Sequence, residues 1–291
     1  MENTSLKNKK KIFAGRGSIL GDIIMFLPAL NVLKKKYEGC SITLPVAKKC
    51  QQIVPLLLTH PLIDSIYITE AHEGLNKEDE KWILDQNFDL VFDPFPSHQK
   101  EDWYNDVPCV QETLRMASQT LLVGYGLLSK EEKLPRLYWP QPEKEKNTIY
   151  IWPFAGYGKA PHRSPSVKWW QELLKELLLN YKIIHCGSDN EPILSEDSNY
   201  SKITNLPYSE QIIKSLSGTL HLHTDSGSGW IVGAYQIVPQ INLITNHLPN
   251  HNTNKLALAP IGSKCHNVYA DSGCDNIPQK DVLDLIEKLV K

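Results

Sequence analysis

The sequence lacks any run approaching the ~20 uninterrupted apolar residues that a membrane-spanning helix requires. Its amino-terminal lysine run is not followed by a signal-type apolar core and small-residue cleavage site. Both absences lead to the expectation of a soluble, cytoplasmic chain. The six cysteines, Cys40, Cys50, Cys109, Cys186, Cys265 and Cys274, form no CxxC pair, which speaks against a zinc cluster or a disulfide framework and for reduced thiols. A dominant charge is lacking too: the formal net charge is -2, so the total gives no reason to expect a nucleic-acid partner. Lysines do cluster at Lys7, Lys9, Lys10 and Lys11 and at Lys34, Lys35 and Lys36. Short runs of this kind are ordinarily solvated faces or fraying ends. The alternative is a basic patch for an acidic acceptor or for peripheral association at the inner face of a membrane. There is no internal repeat or low-complexity tract.

What is present is alternation. Strand-like apolar runs alternate with helical ones almost throughout the 291 residues, the pattern of βα units and parallel sheets, so the fold class is α/β. Strands are expected near Ile12–Ala14, Ser41–Val46, Ser65–Ile68 and Leu90–Phe92, and helices at Ile23–Lys36, Lys49–Leu58, Glu78–Gln86 and Val110–Leu122. Lys130 to Lys146 is then rich in charge and proline, with Pro135, Pro140 and Pro142, and suits a linker. The rhythm restarts with strands at Thr148–Trp152, Lys182–Cys186, Leu220–Thr224 and Gln240–Ile244. The accompanying helices are Val167–Leu179, Ser209–Ser217, Gly227–Tyr235 and Lys280–Val290. Two Rossmann-like domains follow, 1–143 and 144–291, with the last helix free to pack back on the first.

Two Asp-bearing turns lie at strand-to-helix junctions, Gly17-Ser18-Ile19-Leu20-Gly21-Asp22 and Thr224-Asp225-Ser226-Gly227-Ser228-Gly229. A helix N-terminus carries unpaired N–H groups and partial positive charge, so such turns hold anions and orient carboxylates. Gly15, Gly17 and Gly21 give a G-x-G-x-x-x-G spacing, one residue too long for a dinucleotide fingerprint. The acidic residue that would bind ribose at the end of the second strand is missing, since that strand runs into Pro45-Val46-Ala47-Lys48. This disfavours an NAD-dependent oxidoreductase. Asp22, at the helix start, is either a cap or a catalytic base. The loop Phe154-Ala155-Gly156-Tyr157-Gly158, followed by Lys159, His162 and Arg163, is either a diphosphate cradle or a charged surface loop. His221 and His223 alternate on one strand and read as packing or satisfied polar residues rather than metal ligands.

Gly21-Asp22, the apolar Ile23-Ile24-Met25-Phe26-Leu27, then Pro28-Ala29-Leu30 and Leu33 resemble the opening G-D-x-x-x-x-x-P-A-L helix of family 9 glycosyltransferases, the heptosyltransferase group. Trp170-Gln171-Glu172-Leu173 is similar to that family's W-x-x-L, Gly187 to Glu191 to its G-x-x-x-E, and Asp225-Ser226-Gly227 to its D-[ST]-G. The resemblance implies a GT-B fold, two Rossmann-like domains facing a central cleft, and a metal-independent enzyme without a cofactor. Such an enzyme moves a hexose or heptose from a nucleotide-diphosphate-sugar donor to a glycan or glycolipid acceptor of lipopolysaccharide type. It implies Asp22 as general base for the acceptor hydroxyl. Donor contacts would come from Lys159, Arg163, Glu191, Asp225, Ser226 and Gly227. Glu191 would accept from ribose hydroxyls, with a helix-start carboxylate as the alternative, and Ser226 would be a phosphate ligand, a helix cap or both. On the acceptor side stand Asp93 and His98, in a proline-rich loop equally consistent with no function. Two departures are visible: Trp230 replaces the histidine three residues after the motif glycine, and Pro165-Ser166 stands where a tryptophan–proline pair is expected. They motivate an alternative, a catalytically weak nucleotide-sugar-binding or scaffold protein of the same fold. Cys265 and Cys274 resemble late cysteines of some family members, with no chemistry attached.

Overall fold

A computed structural model describes residues 9–15, 19–70, 76–91, 136–156, 163–245, 264–270 and 273–290. The expected helix Val110–Leu122 and the candidates Asp93, His98 and Lys159 lie outside the described residues. The chain divides into two units, Met1–Leu137 and Tyr138–Lys291.

In the first unit, β1 (Lys11–Phe13), β2 (Ser41–Ala47), β3 (Ser65–Thr69) and β4 (Leu90–Val91) form a parallel sheet in the order β3-β2-β1-β4. Parallel neighbours need crossovers. The long one is α1 (Leu20–Lys36), whose Ile23, Ile24, Phe26, Leu27, Leu30 and Leu33 are buried. Pro28 sits inside it and cannot donate to the carbonyl of Ile24. The expected helix Lys49–Leu58 is instead a 3-10 turn, Lys48–Ile53, running into the short α2 (Val54–Leu57). The reason is Pro55, which has no N–H for the carbonyl of Gln51 four residues back. α3 (Lys77–Asp85) opens on a capping box between Asn76 and Asp79. Asp79 also accepts from Tyr67 Oη and Thr69 Oγ1, both at 2.8 Å, tying α3 to β3.

The second unit has β5 (Thr148–Trp152), β6 (Lys182–His185), β7 (Tyr200–Lys202), β8 (Leu220–Thr224), β9 (Gln240–Thr245) and β10 (Cys265–Ala270), all parallel, in the order β10-β9-β8-β5-β6-β7. Its helices are α4 (Val167–Leu177), α5 (Tyr208–Ser215), α6 (Gly227–Tyr235) and α7 (Gln279–Val290). β7 and β10 were not among the expected strands. Both are sheet edges, half-exposed and rich in polar residues, so neither carries the continuous apolar run of a central parallel strand.

Trp169, Trp170, Leu173, Leu174 and Leu177 put the apolar stripe of α4 on the sheet, and Val282 and Ile286 of α7 join the same core. Each tryptophan keeps a partner for its indole N–H: Trp169 donates to the Ile277 carbonyl and Trp170 to that of Pro153, each at 3.1 Å.

The sheet carries a buried polar row beneath α6. His221 stands opposite Gln240, His223 opposite Asn242, and Asn242 opposite Asn267. Gln240 Nε2 donates to the Gly229 carbonyl at 3.0 Å and to Asn242 Oδ1 at 2.9 Å, and Asn242 Nδ2 donates to Asn267 Oδ1 at 2.9 Å. Gly229 lets α6 lie close: a Cβ there would stand 3.3 Å from Asn242 Oδ1. Among the described residues no helix is long and apolar enough to cross a membrane.

Candidate functional site

In the carboxy-terminal sheet the chain leaves β5 toward β6 on one side and later returns to β8 on the other, so the loops after β5 and β8 part at this point. Ligands of open α/β sheets bind in the crevice at the carboxyl ends of such diverging strands. Arg163 comes from the loop after β5, and Asp225, Ser226 and Gly227 follow β8. Four of the residues implied as donor contacts are therefore gathered at one place.

Arg163 donates from Nε to Asp225 Oδ2 at 3.1 Å, and its Nη2 lies 2.9 Å from the same oxygen in an ion pair. The Asp225 side chain is 3% exposed and that of Arg163 is 34% exposed, so the carboxylate is enclosed while the guanidinium reaches the surface. The guanidinium is a planar fork of the kind that suits phosphate oxygens. Ser226 is the N-cap residue of α6 but makes no side-chain cap bond; its Oγ meets Ser228 Oγ at 2.7 Å. Ser226 is therefore a cap by backbone position and not through its side chain. The helix opens with its first-turn N–H groups toward the crevice end of the strand, a site suited to an anion.

Glu191 follows β6 and is also buried. Its Oε2 lies 2.8 Å from His185 Nε2, and its Oε1 accepts from the Ser188 N–H at 2.9 Å. Tyr200 Oη lies 2.6 Å from His185 Nδ1, and burial, the largest effect, lowers the pKa of that histidine. A neutral ring then takes the tyrosine proton on Nδ1 and donates from Nε2. No helix starts at Glu191, so the helix-start alternative is set aside. Gly187 makes the turn at φ 147, where a Cβ would run into the Glu191 carboxylate. The Gln211 amide holds Gly187 from both sides, accepting from its N–H at 2.8 Å and donating to its carbonyl at 3.1 Å.

His221 and His223 are fully buried, as packing residues, but not satisfied ones. His221 Nε2 meets the Ser215 carbonyl at 2.5 Å, while His221 Nδ1 and both ring nitrogens of His223 find no partner among the described residues. His223 lies flat against Trp152, ring centres 6.0 Å apart at 10°. Burial pushes the His221 pKa down to about 4 and that of His223 well below its usual range. Among the described residues no group of three His, Cys, Asp or Glu side chains could hold a metal.

In the amino-terminal sheet the equivalent divergence lies between β1 and β4. Asp22 stands just beyond β1 in the first turn of α1, 8% exposed. The N-cap position belongs to Ile19, which makes no side-chain cap, so Asp22 is the third residue inside the helix, where the dipole favours a carboxylate. Cys50 is its neighbour: burial, opposed by Lys49 and reinforced by the Asp22 charge, pushes that thiol up to about 11. Gly15 serves packing, because a Cβ there would lie 2.6 Å from Pro45 Cδ and 2.9 Å from Leu44 Cδ1.

No family model matches the chain, and no curated protein sequence matches it either. Solved structures do. Escherichia coli ADP-heptose lipopolysaccharide heptosyltransferase II superposes with a TM-score of 0.70 at 15% identity, covering 97% of this chain and 98% of that one. A family 9 glycosyltransferase from Veillonella parvula gives 0.68 at 15% identity over 97% of each chain. An E. coli heptosyltransferase solved with ADP gives 0.66 at 13% identity, covering 96% of this chain and 99% of that one. The fold is that of the GT-B glycosyltransferases. Both units are thus GT-B halves, heptosyltransferase-like in architecture, and at 13–15% identity the likeness is one of fold.

Within this GT-B frame, sequence reasoning passed over several groups that build the site. Ser164 Oγ accepts from the Ala155 N–H at 2.7 Å, His185 and Tyr200 back Glu191, and Asp275 reaches the residue before α4. Only His185 carried a signal, a polar residue in an otherwise apolar strand; Ser164 and Asp275 lie in loops or turns and Tyr200 in the short polar edge strand β7, with no pattern of their own.

Proposed function

We propose that the protein is a metal-independent glycosyltransferase that moves a sugar from a nucleotide-diphosphate-sugar to a hydroxyl of a glycan or glycolipid acceptor. The observation that carries this reading is the pairing of Arg163 with Asp225 at the mouth of α6, on a GT-B fold. The acceptor oxygen attacks the anomeric carbon as the bond from that carbon to the diphosphate oxygen breaks. Asp22 takes the acceptor proton, and the nucleoside diphosphate leaves with its charge met by Arg163, Lys159 and the helix opening at Ser226. Glu191 accepts from the ribose, and Asp93 and His98 belong to the acceptor side. That two similar structures are named for ADP-heptose supports an adenine nucleotide and a heptose as the first donor to test, with a hexose as the alternative sugar. The lipopolysaccharide named for one of them supports an acceptor of that type, reached from the cytoplasmic face of a membrane.

The second reading, a nucleotide-sugar-binding protein with weak or no turnover, is favoured by the inward turn of Glu191, 3% exposed in its side chain, and by Trp230, buried where the family has histidine. Thermal shift against nucleoside diphosphates and their sugars tests the donor site, since a ligand at 100 times its dissociation constant adds about 2.7 kcal/mol. Release of nucleoside diphosphate by wild type and Asp22→Asn then separates the two readings. A shift with no Asp22-dependent release selects the second, and no shift with any nucleotide removes both.

A further inference from the structure

The segment after β10 touches the donor site in a way that neither the motifs nor the fold required. Asp275, in the 3-10 turn Cys274–Asn276, accepts from the Ser166 N–H through Oδ1 at 2.6 Å, across 109 positions of sequence. Ser166 is the N-cap of α4 and stands three residues after Arg163. The short stretch between them is held on every side. Arg163 is tied to Asp225 beyond β8, Ser164 to Ala155 beyond β5, Pro165 has a fixed φ, and Ser166 is tied to Asp275.

The turn that supplies Asp275 is itself anchored. Trp169 Nε1 donates to the Ile277 carbonyl at 3.1 Å, Gln279 Nε2 donates to the Trp169 carbonyl at 2.8 Å, and Cys274 Sγ lies 3.5 Å from Thr245 Oγ1. Burial dominates the rise of the Cys274 pKa to about 11, with smaller effects from Thr245, Asp225, Asp275 and Arg163. Three strand ends, those of β5, β8 and β10, thus converge on the 163–166 stretch.

We propose that Asp275 is a positioning residue for the donor site, fixing the 163–166 stretch so that the Arg163 guanidinium is aimed at the nucleotide diphosphate before it arrives. The inference rests on the donor-site reading above. A cation held by the protein alone loses no conformational freedom on binding, and that freedom is what Asp275 removes in advance. An Asn at 275 keeps an acceptor oxygen for the Ser166 N–H, whereas Ala does not.

The test is calorimetric titration of ADP, GDP, UDP and CDP into wild type, Asp275→Ala, Asp275→Asn, Arg163→Ala and the Asp275→Ala/Arg163→Ala double variant, with the melting temperature of each. For the nucleotide that binds tightest, Asp275→Ala is expected to weaken affinity roughly three- to tenfold and Asp275→Asn to stay near wild type. In the Arg163→Ala background the added Asp275→Ala change is expected to have no further effect. A merely structural role lowers the melting temperature but leaves the two affinity losses additive. Additive losses, or an Asp275→Ala protein that binds as wild type while Arg163→Ala does not, overturn the proposal and leave the donor site standing. Wild type that binds none of the nucleotides, or binds them regardless of Arg163, overturns the donor-site reading and the proposal with it. If Asp275→Ala does not fold, Asp275→Ser, too short to reach Ser166, takes its place.

Discussion

The two units meet the same topological problem with opposite treatments of one carboxylate. In each, an aspartate follows a central parallel strand where the strand order reverses, at the start of a helix. Asp225 precedes its helix and is ion-paired with Arg163 of its own unit, from which it accepts one hydrogen bond. Asp22 lies inside the first turn of its helix beside the Cys50 thiol and is 8% exposed. The difference teaches that the same position at a switch point leaves the acid's surroundings to its neighbours: Asp225 is ion-paired with an arginine, whereas Asp22 is buried beside a helix N-terminus and a thiol.

The sharpest way to break this contrast is to neutralise each acid. Asp22→Asn is expected to lower turnover by about 10²- to 10⁴-fold, the usual worth of a general base, with nucleotide affinity unchanged. A near-normal rate would take Asp22 out of the mechanism. The converse pattern is expected of Arg163→Ala. Nucleoside diphosphate binding should weaken roughly 10- to 100-fold by titration, as for the loss of charge-assisted hydrogen bonds. Arg163→Lys should recover only part of that, for lack of the planar fork. If both substitutions moved turnover and affinity alike, the division of labour between the turns would be wrong.

A smaller effect separates the units by acid. The folded pKa of His221 is lowered to about 4, below its ~6.5 in an unfolded chain. Between those values the unfolded state binds more protons, so stability is present above about pH 6.5 and is lost as pH falls toward 4. His185 and His223 shift the same way in the carboxy-terminal unit, whereas among the described residues of the amino-terminal unit His60 does so alone. Hydrogen exchange followed from pH 7 to pH 4.5 should show the carboxy-terminal sheet losing protection first, and His221→Gln should reduce that loss. Equal losses in both units would mean that the buried histidines of β8 do not control acid sensitivity.

Much of the architecture was legible. The runs at Thr148–Trp152 and Leu220–Thr224 gave strand limits identical to those observed: the first is a near-continuous apolar run buried on both faces, and the second alternates leucine with histidine although every residue of it is buried. The edges β7 and β10 were not legible, since their residues answer to only one neighbouring strand. Residues 49–58 read as one helix, although Pro55 divides the stretch into two kinds of turn. For the site, glycine-rich turns and acids marked Asp22 and Asp225 correctly as helix-entry residues. What no local pattern could reveal was the partnership of Arg163 with Asp225, 62 positions away, or of Ser166 with Asp275, 109 away. Those are set by the strand order, which the chain records only as a whole.

The buried amides beneath α6 bear on how the sheet avoids folding wrongly. Strands buried on both faces offer similar hydrophobic surface in several alignments, so greasy contacts alone discriminate poorly among near-miss pairings. A slip of one residue between β8 and β9 would separate Gln240 from Gly229, and one between β9 and β10 would separate Asn242 from Asn267, each leaving amide groups unpaired at roughly 1–3 kcal/mol. The amides therefore act as a proofreading device: the observed alignment is the one that keeps these hydrogen bonds.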